Sequence, residues 1–208
     1  DLNELLAASG LGKEARAKTL TKLNGIALAP RPDLADFVGR GVRLFGRATA
    51  SVDVVPFAWG AALAAYPYFG KVAEFTGRLT SIQGDCSVAE IHRRMSEVYG
   101  DREITKRATQ AVLQTQANWG AVARVEKGAR LVRQAAISIA DQGHVAWLLE
   151  AAIRGQGKAI PIATIQSTAV LYPFSFDQPL GYAIANSKEL ALLSEGPNQQ
   201  FVVLRSVT

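Results

Sequence analysis

The hydrophobic pattern of the chain changes period near residue 120. Before that point, apolar residues recur at the three- and four-residue spacing of amphipathic helices, with Gly and Pro at the breaks. Residues 121–125 and 129–133 follow a two-residue period instead and flank Glu126-Lys127-Gly128, a pattern that predicts a β-hairpin. The 208 residues, 49% of them hydrophobic, are enough to bury a core. We therefore expect a mainly α fold with small β-hairpins.

The first 66 residues form a predicted N-terminal helical region. Helical spacing covers residues 2–23, with a Gly turn at 9–12, and then residues 34–46 and 56–66. The uncharged run from Val54 to Gly70 has 17 residues and contains Pro56 and Pro67. Because a membrane span needs about 20 apolar residues, this run favours a buried core helix, and no membrane partner is expected.

Three helices precede the hairpin in the central part of the chain. The spacing predicts them at Phe69–Ile82, Ser87–Val98 and Thr105–Asn118. Ser87 and Thr105 are suited to N-caps, because a hydroxyl oxygen accepts a hydrogen bond from a free N–H group of the first turn. The side chains expected to point inward from the third helix are those of Ala108, Ala111, Val112 and Thr115.

This order of three helices and a hairpin over residues 69–133 resembles the winged helix-turn-helix superfamily. The resemblance implies a unit spanning 67–138 whose third helix, residues 105–118, enters the DNA major groove, while the hairpin wing, residues 121–133, touches the backbone. It also implies a regulator or a DNA-engaging subunit of a prokaryotic assembly. The residues that it places at double-stranded DNA are Arg102, Thr105, Lys106, Arg107, Thr109, Gln110 and Gln114 at the third helix, and Arg124, Lys127 and Arg130 at the wing.

The charge distribution agrees with an anionic partner. Residues 1–140 contain 19 basic and 13 acidic residues, whereas residues 141–208 contain 4 and 5. Within residues 102–133 the count is 7 basic against 2 acidic. Lys and Arg bind phosphates and release counterions, and Gln and Arg can read adenine and guanine edges. A basic protein also exposes such side chains on any amphipathic helix, and winged helices serve as protein-docking modules, so an adaptor without DNA contact is the alternative.

The last third, residues 139–208, repeats the pattern more faintly. It predicts helices at His144–Arg154, Pro161–Ala169 and Pro179–Ala185, followed by strands at 188–193 and 200–205. The segment around Asp177, Gln178 and Tyr182 that corresponds to a reading helix has no Lys or Arg. We therefore expect a degenerate winged-helix-like domain that packs, dimerises or binds a protein partner.

Enzymatic motifs are weak in this chain. His92 lacks an orienting carboxylate and a recognisable nucleophile, and Cys86 is the sole cysteine. One Cys and two His do not complete a structural zinc site. We expect a non-enzymatic protein without cofactor or metal. The acidic start, Asp1-Leu2-Asn3-Glu4, does not resemble a secretory signal, which favours the cytoplasm.

Overall fold

The computed structural model describes residues 2–8, 10–46, 51–177, 179–196 and 199–205, excluding the side chains of residues 2, 3 and 51–53. It confirms the expected fold class, because helices dominate and the strands form small sheets. The α-helices are α1 (Leu2–Ala8), α2 (Lys13–Leu23), α3 (Ala35–Phe45), α4 (Ser51–Ala65), α5 (Pro67–Gln83), α6 (Val88–Tyr99), α7 (Glu103–Asn118), α8 (Gln142–Gln156) and α9 (Leu180–Asn186). The strands are β1 (Asp85–Ser87), β2 (Val122–Val125), β3 (Arg130–Arg133), β4 (Ile137–Ile139), β5 (Ile160–Pro161), β6 (Phe174–Phe176), β7 (Leu190–Ser194) and β8 (Gln200–Leu204).

The N-terminal helices lie close to their predicted positions. The break between α1 and α2 contains Gly10 at φ +73, a left-handed conformation that favours glycine. α4 begins before Pro56 rather than at it, because a proline near the start of a helix removes only one hydrogen bond. A π-helical turn at Asn24–Leu28 was not predicted. Among the described residues, no helix combines the length and the apolar character needed to cross a bilayer.

The central unit, residues 67–133, contains α5, β1, α6, α7 and the hairpin of β2 and β3. All pairs are antiparallel and the strand order is β1-β3-β2. Ser87 caps α6 as predicted, since its Oγ accepts a hydrogen bond from the N–H of Glu90. The sequence analysis missed β1, whose three residues are too few to show an alternating pattern.

The predicted start and inward face of α7 are wrong. The helix begins at Glu103, and Thr105 lies inside its first turn rather than at the N-cap. The buried positions are Thr105, Thr109, Leu113 and Gln116. Of the residues predicted to point inward, Ala111 is exposed, and Ala108, Val112 and Thr115 are only half-buried. The apolar pattern misassigned this face because the core side of α7 is partly polar. Oγ1 of Thr109 and Oε1 of Gln116 have hydrogen-bond partners inside the protein, whereas Nε2 of Gln116 is buried without one among the described residues.

The last third is more irregular than predicted. α8 and α9 are present, and β7 and β8 pair in an antiparallel hairpin. The predicted helix at Pro161–Ala169 is wrong: the chain there forms 3-10 turns at Ile162–Ser167 and Ala169–Leu171. β5 adds to β8, so the order β5-β8-β7 repeats the connectivity of β1-β3-β2. β4 and β6 form a separate parallel pair, and Gln178 lies outside the described residues.

A single hydrophobic cluster joins the predicted N-terminal, central and C-terminal segments. At one end of it, Trp147 of α8 stacks on Phe37 of α3 with ring centroids 4.4 Å apart, and its Nε1 donates to the carbonyl oxygen of Phe37. Gly41 and Gly60 leave room for the indole ring between α3 and α4. The N-terminal and C-terminal segments therefore share a core.

We expect Gly41→Ala to destabilise the protein. A Cβ at this position would lie 2.6 Å from a Trp147 ring carbon, and overpacking of this kind costs about 1–3 kcal/mol of unfolding free energy. Gly39→Ala is the matched control on the same helix. Its new methyl group would have no neighbour closer than 3.7 Å, so better helix propensity should stabilise it by about 0.5–1 kcal/mol. Urea unfolding followed by circular dichroism measures both, and equal effects would contradict the packing described here.

Candidate nucleic-acid interface

Buried polar side chains hold α7 in one orientation. The Tyr68 hydroxyl lies 2.8 Å from the carbonyl oxygen of Thr105 and 2.8 Å from Oγ1 of Thr109. Towards the other end of the helix, Tyr172 donates a 2.9 Å hydrogen bond to Oε1 of Gln116. Burial raises the pKa of Tyr172 well above its usual value, so this hydroxyl keeps its proton. Because buried polar groups are costly when unpaired, these bonds favour one rotation of α7 about its axis.

The opposite face of α7 is open to solvent and carries cationic and amide groups. Lys106, Gln110 and Gln114 follow one another at four-residue spacing, with Arg107 beside them, and all four are exposed. Lys106 Nζ lies 3.1 Å from Asp101, and Arg107 Nε lies 2.9 Å from Glu103. Exposed ion pairs of this kind contribute only about 0–1 kcal/mol, so a phosphate group can replace either carboxylate at little cost.

Two of the predicted contact residues on α7 are directed inward. Thr105 is 5% exposed and Thr109 is completely buried, so the prediction that their side chains meet DNA is wrong. Their hydroxyls belong to the core side of the helix, where Thr109 also donates to the carbonyl oxygen of Thr105. Arg102, the residue just before α7, is exposed as expected for a contact residue.

The three predicted wing cations have different surroundings. Lys127 lies exposed at the tip of the hairpin. Arg124 is half-buried and donates across the turn to the carbonyl oxygen of Gly128. Arg130 makes a bidentate pair with Asp85, at 2.8 and 3.1 Å, which raises the pKa of the Arg130 guanidinium. Arg124 and Arg130 therefore stabilise the hairpin and its pairing with β1, and Lys127 is the wing cation that faces solvent without either constraint.

The positive charges of α6 are largely balanced on their own helix. Glu90 accepts hydrogen bonds from Arg93 and Arg94, which lower the pKa of Glu90 to about 2. Arg93 also pairs with Glu97. The guanidinium groups of α6, like Lys106 and Arg107 of α7, therefore have carboxylate partners close by in the chain.

His92 is a candidate contact that the sequence analysis missed. It lies between α6 and α7 in a groove of about 700 Å³ whose walls include Ser96 and Lys106. It also borders the neighbouring groove along Gln110 and Gln114. Its Nδ1 is buried and has no hydrogen-bond partner among the described residues. The sequence feature that indicates this position is that His92 directly follows Ile91. A residue next to a buried helical position lies at the edge of the buried face of α6.

Cys86 does not have the surroundings of a nucleophile. It lies buried in β1, and burial, followed by the nearby Asp85 carboxylate, raises the pKa of its thiol to about 11. A catalytic cysteine requires the thiolate, which low-dielectric surroundings disfavour.

No protein-family model, curated protein or solved structure matches this chain. The functional interpretation therefore rests on the charge and geometry of α7 and the hairpin.

We expect Tyr68→Phe to lower the free energy of unfolding by about 1 kcal/mol, because it removes a half-buried hydroxyl with two partners. Tyr182→Phe is the matched control, since Tyr182 is 57% exposed and should be neutral. Urea unfolding measures the difference between the two variants. Equal stability of the two variants would show that the Tyr68 hydroxyl does not stabilise the placement of α7.

Proposed function

We propose that the central unit binds double-stranded DNA, with the exposed face of α7 in the major groove and the β2–β3 hairpin against the backbone. The order of three helices followed by a hairpin supports the proposal, because this order is the basis of the winged-helix resemblance. This activity would suit a regulator or a DNA-engaging subunit of a larger assembly, acting in the cytoplasm.

The observation that carries the proposal is the contrast between the two faces of α7. One face is fixed in the core by Thr105, Thr109 and Gln116, while the other presents uncovered Lys106 and Gln110. A reading helix needs this combination, because its side chains must be accessible and its orientation must not change on contact.

Each exposed group has a role that its chemistry supports. Lys106, Arg107 and Lys127 suit phosphate contacts, since their ammonium or guanidinium groups can exchange surface partners for the DNA backbone. Gln110 and Gln114 suit the adenine edge, where an amide can donate to N7 and accept from N6. His92 suits a backbone contact, because it lines the groove beside Lys106 and an imidazole N–H can donate to a phosphate oxygen.

A protein-docking adaptor remains the second candidate, and the charge of the last third favours it. Residues 141–208 hold 4 basic and 5 acidic residues, so this part offers no electrostatic attraction to DNA. The adaptor interpretation requires partner binding without salt-sensitive duplex binding.

Reversing two charges on α7 should abolish duplex binding. We expect Lys106→Glu combined with Arg107→Glu to weaken binding to a random duplex at least 100-fold, since two phosphate contacts become repulsive. Log affinity should also fall less steeply with log salt, by about 0.9 per lost contact. Fluorescence anisotropy at several salt concentrations measures both quantities.

The control is Lys13→Glu combined with Lys18→Glu, which changes the net charge equally on exposed positions of α2. This control should bind like wild type. Equal weakening by both double variants would indicate a general charge effect and would contradict the assignment to α7. Unchanged binding by the α7 variant would also contradict this assignment.

A separate variant tests the role of His92. We expect His92→Leu to weaken duplex binding by roughly 3- to 10-fold at pH 8, which corresponds to one lost hydrogen bond. The dependence of log affinity on log salt concentration should stay that of wild type. In Lys106→Ala this dependence should be weaker by the equivalent of about one phosphate contact. His92→Gln, which keeps a donor, should retain more affinity than His92→Leu. Wild-type affinity of His92→Leu would remove His92 from the interface.

A further inference from the structure

The outer edge of β7 carries backbone groups that have no partner within the C-terminal sheet. The strand order β5-β8-β7 puts β7 at the edge. Backbone bonds join Arg205 N–H to the Glu189 carbonyl and Glu195 N–H to the Gln199 carbonyl. In an antiparallel ladder, residue pairs that exchange backbone hydrogen bonds alternate with pairs that do not. Since Glu189 and Glu195 belong to bonded pairs, Ala191 and Leu193 between them also bond to β8. The backbone groups of Leu190, Leu192 and Ser194 therefore point away from the sheet.

Side chains of the protein itself occupy the first of these three positions. Ser187 Oγ accepts from the N–H of Leu190, and an Arg205 Nη2 donates to the carbonyl oxygen of Leu190. Leu192 and Ser194 have no such covering among the described residues. Each of these residues keeps one outward N–H and one outward carbonyl oxygen, and the two residues are two positions apart.

We propose that this edge pairs with the same edge of a second copy of the chain, antiparallel about a two-fold axis at Leu193. In that register the outward N–H and carbonyl oxygen of Leu192 in each copy bond to the carbonyl oxygen and N–H of Ser194 in the other. All the outward groups of these two residues are then hydrogen-bonded in both copies. A two-fold interface needs such self-complementarity, because one surface must meet its own copy. The two Leu193 side chains then face each other in a non-bonded pair, where side chains approach most closely.

Charge and exposure favour a second copy as the occupant. β7 and β8 contain no charged residue, and residues 141–208 are close to neutral, so two copies meet without repulsion at the strands. Leu192 and Leu193 are 45% and 44% exposed, and pairing would cover apolar surface on both sides of the strand. The opposite edge, β5, is only two residues long and contains Pro161, features that protect an edge strand, whereas β7 has no Lys or Pro.

Light scattering and sedimentation of the full chain over about 1–200 µM test this pairing. A small interface of this kind gives a weak dimer, so we expect the mass to double towards the upper end of the range. Leu192→Pro removes an outward N–H and no hydrogen bond to β8, and an edge strand tolerates proline at such a position. This variant should stay monomeric with an unchanged circular dichroism spectrum. A wild-type monomer throughout the range would overturn the proposal.

Two further variants test the register without depending on proline. Leu193→Lys and Leu193→Glu should each be monomeric, because like charges would face each other at the axis. Their equimolar mixture should recover the dimer, since opposite charges then meet. A mixture that remains monomeric, or single variants that dimerise like wild type, would overturn the two-fold register. Duplex binding is measured separately, so loss of dimerisation leaves the proposed function of α7 independently testable.

Discussion

The rotation of α7 about its own axis depends on hydroxyl and amide groups inside the protein. Tyr68 contacts Thr105 and Thr109 near one end of the helix, and Tyr172 contacts Gln116 near the other. A rotation by a quarter turn would break these bonds, and each polar group left buried without a partner costs about 1–3 kcal/mol. The same bonds determine which residues of α7 reach the surface. Which side chains are exposed on this helix therefore depends on the polar contacts of its buried face.

The hydrogen bond between Tyr172 and Gln116 also connects the central unit to the last third of the chain. Tyr172 lies just after a 3-10 turn of the last third, and Arg133 of β3 donates to its carbonyl oxygen and lies over its ring. The helix with the exposed cations is thereby connected to the last third of the chain, whose net charge is close to zero. If β7 pairs between copies, the two α7 faces belong to one assembly, which would suit a DNA site with two halves.

The sequence predicted the helices apart from that at Pro161–Ala169, the hairpin and the exposed cations of α7, because helical period and turn composition are local properties. It failed for Thr105 and Thr109, which are buried beside Tyr68; the Tyr68 hydroxyl contacts the backbone of Thr105 and the hydroxyl of Thr109, 37 and 41 residues away along the chain. It also failed to separate Lys127 from Arg130, since both are cations of one hairpin and only the pairing with β1 places Asp85 beside Arg130. Local patterns therefore predicted the elements, while long-range polar contacts decided which side chains are available.

Lysine footprinting tests the role of the α7 face and the wing tip most directly. The chain is acetylated with and without saturating duplex DNA, and the modification rate of each lysine is measured by mass spectrometry. We expect DNA to protect Lys106 and Lys127 while Lys13 and Lys158, which are also exposed, react at unchanged rates. Equal rates at Lys106 and Lys127 with and without bound DNA, or uniform protection of all exposed lysines, would contradict this assignment.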